Sequence, residues 1–255
     1  MRGYGRRRCR KAATEEMHAG AIDLGDPTGR KSAFAREPRR EVCGSPNRHT
    51  VPTLLRIDSS SRVTDSVSRA FGDEIAAAWR DAHPSGEVVV QDLVAAPVPH
   101  IHDGTIRGFY AADPTPADRE HTALSDRLVT ELLTCDALLV TLPMYNFSIP
   151  SALKAYIDQV VRAGRTFAVD PDGSLRGLVA DRPVYLAIAK GAPYTGTSFA
   201  GMDFTESYLQ ALFGFLGLQS VETFAIEGTT IAPEVMERSR AACRARLATL
   251  LPSGE

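Results

Sequence analysis

Five short apolar runs alternate with five longer amphipathic runs between residues 53 and 251 of this chain. The apolar runs have the length of strands buried on both faces of a sheet, and the longer runs carry apolar residues at helical spacing. This alternation predicts an α/β protein with a doubly wound parallel sheet and helices on both faces. The predicted strands are Thr53–Asp58, Glu87–Leu93, Asp136–Leu142, Val184–Ala189 and Val221–Ile226, and the predicted helices are Ser66–Ala82, Ala117–Thr134, Ser151–Ala163, Asp203–Leu216 and Pro233–Leu251.

The number of strands reduces the set of possible sheet topologies. Five strands in a body of this length favour the flavodoxin-like order 2-1-3-4-5 over the six-stranded dinucleotide fold. In that order strands 1 and 3 are neighbours whose crossovers leave on opposite faces, so a ligand crevice opens at their carboxyl ends. The run Thr166–Val179 contains Pro171-Asp172-Gly173, which is turn chemistry and predicts a hairpin.

Charge divides the chain into two parts. Residues 1–52 hold 12 Lys and Arg against 6 Asp and Glu, whereas residues 53–255 hold 17 against 25. We predict a basic, disordered extension over residues 1–52 and one folded domain over residues 53–255. The extension is open to three interpretations: a solvated arm, a nucleic-acid tail, or sequence translated from a misjudged start. Aromatic residues are not interleaved with its arginines in the way that a single-strand binder would need, which disfavours nucleic-acid binding.

Other features limit the class of protein. The four cysteines are far apart, with no CxxC pair and no histidine at metal spacing, so neither a disulfide framework nor a metal site is expected. This cysteine usage suits the cytoplasm. No apolar stretch reaches the ~18 residues of a membrane span. No set of residues typical of a catalytic triad or a Cys–His pair is evident either.

The loop after the first strand is rich in hydroxyl groups. It runs from Ser59 to Ser68 and opens a predicted helix, without the glycine patterns of dinucleotide or Walker A loops. Free N–H groups at a helix start, together with hydroxyl donors, can bind one terminal phosphate. The alternative is that Ser66 only caps the helix and the other serines fill a loop.

Two more loops reach the same predicted crevice. Met144–Phe147 follows strand 3 with a methionine, two aromatics and an amide, which suits a flat heteroaromatic ring with polar edges. The alternative is that these apolar residues close the core. Ala189–Ala192 follows strand 4, where small residues permit close approach of a ligand and Lys190 could balance negative charge. Together the three loops describe a mononucleotide with a wide ring, and flavin mononucleotide (FMN) fits.

The same residues resemble a known family. The sequence MYNF at Met144–Phe147, the helix after it and the spacing of Ser60 from Ser66-Val67-Ser68 are similar to the FMN-dependent NADH-azoreductases, also called FMN-dependent NADH:quinone oxidoreductases. The chain departs from the family's Ser-Arg-Gly-Gly after strand 4, where it has Ala189 and Ala192 beside Lys190 and Gly191. The resemblance implies these FMN-binding residues: Ser60, Ser66, Val67, Ser68, Met144, Tyr145, Asn146, Phe147, Ala189, Lys190, Gly191 and Ala192.

The resemblance also implies an activity. Two electrons would pass from NADH or NADPH through bound FMN to a quinone or azo compound with ping-pong kinetics, and the chemistry would need no catalytic side chain. It further implies a homodimer and a substrate pocket that includes Phe147 and Phe167. Two other interpretations stay open: a flavodoxin-type electron carrier without NADH chemistry of its own, and an NAD(P)H-dependent FMN reductase. A phospho-receiver domain is disfavoured, because strand 3 ends without a carboxylate.

Overall fold

A computed structural model describes residues 51–252, and the predictions for the basic extension therefore lie almost entirely outside the described residues. The strands are β1 (Thr53–Asp58), β2 (Glu87–Asp92), β3 (Ala137–Pro143), β4 (Phe167–Val169), β5 (Leu175–Gly177), β6 (Val184–Ala189) and β7 (Val221–Ile226). The helices are α1 (Val67–Ala82), α2 (Asp103–Tyr110), α3 (Pro116–Thr134), α4 (Ser151–Val160), α5 (Phe204–Leu216) and α6 (Pro233–Leu250), with a 3₁₀ turn at Ala200–Met202.

Five of the strands form one parallel sheet in the order β2-β1-β3-β6-β7. Strands β4 and β5 pair antiparallel in a separate two-stranded hairpin. The fourth and fifth strands of the large sheet are therefore β6 and β7. Strand β1 lies between β2 and β3, and β3 lies between β1 and β6, so the carboxyl ends of β1, β3 and β6 are side by side.

Helices cover both faces of the sheet. On one face α3, α4 and α5 bury Leu128, Ile157 and Phe213 against β1, β3 and β6. On the other face α1 and α6 bury Phe71 and Leu247 against the same strands and β7. Strands β3 and β6 contribute side chains to both cores, which is why their sequences are almost continuously apolar rather than alternating.

Local sequence sets the helix ends. Ser66 caps α1, Thr115 and Asp118 form a capping box at α3, and Asp203 caps α5 by accepting from the Thr205 N–H. Helix α5 ends at Gly217, whose φ of 107° is in the left-handed region that a glycine C-cap provides.

Two differences from the sequence prediction are larger than one residue at the end of an element. Helix α2 lies within the stretch that its prolines mark as loop; its Gly104 and Gly108 are poor helix formers, but they let α2 pack closely on His121 and Thr122 of α3. Helix α4 ends at Val160, three residues before the predicted end. The Thr166 hydroxyl donates to the Val160 carbonyl at 2.8 Å and accepts from the Arg162 N–H at 2.8 Å, which ends the helix.

Within residues 51–252 no helix combines the length and the apolar character that crossing a membrane requires. Over the same residues, no three His, Cys, Asp or Glu side chains are grouped so that they could hold a metal ion.

Candidate functional site

The candidate site lies at the carboxyl edge of the sheet, where the loops after β1, β3 and β6 emerge side by side. The first loop is anchored to the neighbouring strand. Both the backbone N–H and the hydroxyl of Ser59 donate to the Thr141 carbonyl of β3, at 3.0 and 2.9 Å. Below it, Asp58 accepts from the Thr141 hydroxyl at 2.7 Å and from Arg56 Nε at 2.8 Å. These contacts hold the start of the loop against the centre of the sheet.

The end of the first loop presents hydroxyl and N–H donors together. Ser66 caps α1, with its hydroxyl accepting from the Arg69 N–H at a long 3.4 Å. The buried hydroxyls of Ser66 and Ser68 lie 3.3 Å apart. The N–H groups of Val67 and Ser68, in the first turn, have no intrahelical acceptor. Ser66 is therefore a cap, as the simpler interpretation predicts, and its surroundings also have the composition of an anion site.

The second loop contains a tight turn in an uncommon backbone conformation. Tyr145 and Ser148 exchange two backbone hydrogen bonds of 2.9 and 3.0 Å, and between them Asn146 and Phe147 have φ of 48° and 68°. A left-handed conformation costs a non-glycine residue about 1–3 kcal/mol and is concentrated at functional sites. The turn leaves Phe147 40% exposed, so this aromatic ring does not simply close the core.

Two contacts join the loops to each other. The hydroxyls of Ser61 and Tyr145 lie 2.5 Å apart, which connects the loop after β1 to the turn after β3. The Met144 N–H donates to the Ala189 carbonyl at 2.8 Å, which connects that turn to the last residue of β6, where the third loop begins. The structure thus brings together the three loops that the sequence selects.

Lys190 faces into the protein, although the sequence places it in a ligand-binding loop. Its side chain is 2% exposed, and its ammonium lies 2.6 Å from an oxygen of Asp203 and 3.2 Å from one of Glu227. Burial works against its charge, but the hydrogen bond and charge of Asp203, with the charge of Glu227, raise the pKa of Lys190. The ammonium is therefore paired with buried carboxylates, and only the backbone of Lys190 is available to a ligand.

Glu227 ties the third loop to the end of β7. Besides Lys190, its carboxylate accepts from the N–H groups of Tyr194 and Thr195 and from the Thr195 hydroxyl, at 2.9–3.2 Å. Burial raises the pKa of Glu227, but these hydrogen bonds and the Lys190 charge outweigh burial and lower it. The sequence prediction missed this role of Glu227 and Asp203, because Asp203 lies well after Lys190 in the chain and Glu227 lies 37 positions after it.

Phe167 lies at a distance from the three loops within one chain. Its ring packs against Phe215 of α5, with centroids 5.0 Å apart. The first residue of α5, Phe204, donates its N–H to the Phe147 carbonyl. Phe215 follows Phe204 by eleven positions on this helix, a rise of about 16 Å. Phe147 and Phe167 are therefore at opposite ends of α5.

A groove of about 540 Å³ opens beside the turn after β3. Its lining includes Tyr145, Asn146 and Ser148 of this turn and His100 from the loop after β2. Nearby His102 has a structural role, because its Nδ1 caps α2 by accepting from the Gly104 N–H at 3.1 Å. The other lining residues are Ile149, Ser151, Lys154 and Tyr208.

Comparison with known proteins identifies the class. The family described as having a flavodoxin-like fold matches residues 52–251. An FMN-dependent NADH:quinone oxidoreductase of Xanthobacter autotrophicus is 49% identical over 67% of this chain and 83% of that protein. One from a Nostoc species is 39% identical over 76% and 96%. The crystal structure of a Bacillus anthracis azoreductase superimposes with a TM-score of 0.72 at 28% identity, covering 79% of this chain and 99% of that one. The chain therefore belongs to the flavodoxin-like family of FMN-dependent NADH:quinone oxidoreductases.

The residues at the crevice fit the cofactor in the names of these relatives. FMN carries one terminal phosphate, and the first loop offers the buried hydroxyls of Ser66 and Ser68 beside a helix start. FMN also has a planar ring, and the turn after β3 exposes Tyr145 and Phe147 next to the small residues after β6. The chemistry of the donor set thus agrees with an FMN site.

Proposed function

We propose that this protein is an FMN-dependent enzyme that reduces quinones and azo compounds with electrons from NADH or NADPH. The contact between the Ser61 and Tyr145 hydroxyls carries the proposal, because it joins the hydroxyl-rich loop to the aromatic turn at one edge of the sheet. The names of the similar proteins supply the activity.

The proposed cofactor contacts divide by loop. The hydroxyls of Ser60, Ser66 and Ser68 and the first N–H groups of α1, including that of Val67, would hold the phosphate. Met144–Phe147 would lie against the ring. The backbone of residues 189–192 would reach the ring edge, because Ala189 and Ala192 have no polar side chain and Lys190 is engaged elsewhere.

When bound, FMN supplies the two-electron redox chemistry. The protein's own part is to bind and orient. Phe147, which is partly exposed on a strained turn, would present apolar surface to planar donors and acceptors at the crevice mouth. Because donor and acceptor would use one pocket in turn, we expect ping-pong kinetics. No protein side chain is assigned a covalent or proton-transfer role.

We further propose that the active unit is a homodimer that works in the cytoplasm. Phe167 and Phe147 lie at opposite ends of α5, so both could line one pocket only if Phe167 came from a second copy of the chain. The hairpin that carries Phe167 exposes Val169 and Leu175, which a partner subunit would cover. The described cysteines, Cys135 and Cys243, are both free, which suits a reducing compartment.

The decisive experiment is to purify the protein with FMN, record its visible spectrum and add NADH without air. We expect flavin absorption bands that bleach with NADH and return when a quinone is added. Steady-state rates at several quinone concentrations should give parallel double-reciprocal lines. A flavin spectrum that NADH leaves unchanged would favour the electron carrier, and faster turnover with free FMN than with quinones would favour the FMN reductase. Failure to bind FMN at all would refute the proposal.

A further inference from the structure

Arg69 lies in the first turn of α1, between the hydroxyl-rich loop and the end of β2. Its Nη1 and Nη2 donate to the two carboxylate oxygens of Asp92 at 2.6 and 2.9 Å. Nη2 also donates to the Ser60 carbonyl at 2.9 Å, and Nη1 lies 3.4 Å from Asp58. The guanidinium is therefore fixed beside Ser60 by two carboxylates and one carbonyl, and its side chain is only 11% exposed.

One donor of this guanidinium has no partner. Each Nη atom carries two protons. The carboxylate of Asp92 accepts one proton from each Nη atom, so the Nη2 proton that is donated to the Ser60 carbonyl is the one on the Nε side of the guanidinium. The Nε–H of Arg69 points to that same side. Among the residues that the structure describes, no acceptor reaches this buried nitrogen. An unpaired buried donor on a charged group is costly, and native proteins hold few of them.

We propose that Arg69 is a further phosphate-binding residue, whose Nε–H donates to the terminal phosphate of the flavin nucleotide. The inference rests on the proposed function. It adds a charged donor, itself paired with Asp92 and Asp58, to the neutral hydroxyls and N–H groups that the proposed function assigns to the phosphate. A guanidinium presents several donors in a rigid fork, so it can hold Asp92 and Ser60 on two of its sides and still offer Nε–H to a phosphate.

The charge state and rigidity of Arg69 suit this role. The hydrogen bond with Asp92 is the main cause that raises the pKa of Arg69, with burial opposing it and the charges of Asp58 and Asp92 assisting. Asp92 is itself fixed, since it accepts from the Val94 and Ala95 N–H groups at 2.9 and 3.2 Å. The donor is thus held in place before the ligand arrives, which reduces the ordering cost of binding.

The test compares FMN with riboflavin, which has the same ring and no phosphate. Dissociation constants are measured from the quenching of flavin fluorescence for the wild type, Arg69→Lys and Arg69→Met. Arg69→Lys keeps a cation beside Asp92 but lacks the Nε donor. We expect Arg69→Lys to weaken FMN binding by about 10- to 100-fold, because one hydrogen bond to a charged group is lost. Riboflavin binding should weaken by less than about twofold. Arg80→Lys, an exposed arginine near the end of α1, is the matched control and should change neither.

A second readout reports on the phosphate itself. A phosphate monoester takes up its second proton near pH ~6, and a guanidinium ligand opposes that protonation. The ³¹P signal of FMN bound to the wild type should therefore show a lower phosphate pKa than that of FMN bound to Arg69→Met at saturation. Equal pKa values in the two complexes, or equal weakening of FMN and riboflavin, would overturn the proposal and leave Arg69 a loop-shaping residue. A wild type that binds neither flavin would instead refute the proposed function.

Discussion

Replacing Lys190 with methionine tests the buried ion cluster under the third loop. The substitution keeps most of the side-chain volume and removes the ammonium that lies 2.6 Å from Asp203 and 3.2 Å from Glu227. Removing one partner of a buried ion pair costs about 3–5 kcal/mol, because the remaining charge stays buried without compensation. For a domain of this size that corresponds to a fall of about 6–20 °C in Tm.

The loss of stability caused by Lys190→Met should depend on pH. In the wild type the pKa of Glu227 is lowered, so its stabilisation is present above the pKa of the unfolded chain and is lost as the pH falls. In Lys190→Met the two carboxylates face each other without a cation, which raises the pKa of one of them. That variant therefore gains stability as the pH falls. The difference in the free energy of unfolding between the wild type and Lys190→Met should therefore be larger at pH 8 than at pH 5.

Urea denaturation followed by circular dichroism at both pH values measures this difference. The matched control is Lys154→Met, which removes a half-exposed lysine paired with Asp158 one helical turn away. A surface pair of this kind contributes about 0.3–0.5 kcal/mol. If Lys190→Met costs no more than Lys154→Met, or if its cost does not fall at lower pH, the cluster does not stabilise the loop in the way described.

Three further predictions concern the loops and the core. Ser66→Ala combined with Ser68→Ala should weaken FMN binding at least tenfold with little loss of secondary structure, and unchanged affinity by fluorescence titration would place the phosphate elsewhere. Phe147→Gly should be about 1 kcal/mol more stable to urea than Phe147→Ala, because both lose the ring but only glycine relieves the left-handed strain; equal stability would argue against strain in the turn. Burial raises the pKa of the Cys243 thiol to about 11, so iodoacetamide at pH 8 should label Cys243 only after unfolding, and labelling of the native protein, read by peptide mass spectrometry, would contradict its burial.

Local pattern predicts much of this fold, because buried parallel strands and capped helices leave strong signals in the sequence. The predicted strands Val184–Ala189 and Val221–Ile226 match the observed bounds of β6 and β7. Helix α2 was not predicted, since prolines flank it and its glycines are selected for close packing on α3 rather than for helix propensity.

Part of the candidate site could likewise be predicted from the sequence, and part could not. The convergence of the three loops follows from topology, so it could be predicted from the order of strands and helices. The inward direction of Lys190 could not, because it depends on Glu227, which is distant in sequence and reaches the loop only through the pairing of β6 with β7. The hydrogen bonds of Arg69 escaped prediction for a similar reason: they depend on the end of β2 lying beside the end of β1.

The dependence of the third loop on β7 has a consequence for biosynthesis. The Lys190 and Gly191 carbonyls accept from the N–H groups of Thr229 and Thr230, and Glu227 holds the loop from the other side. A ribosome makes the loop well before it makes these partners. The nascent polypeptide therefore cannot complete this wall of the crevice until residues 227–230 have emerged from the exit tunnel, and a product of premature termination before Glu227 would lack the partners that hold the loop.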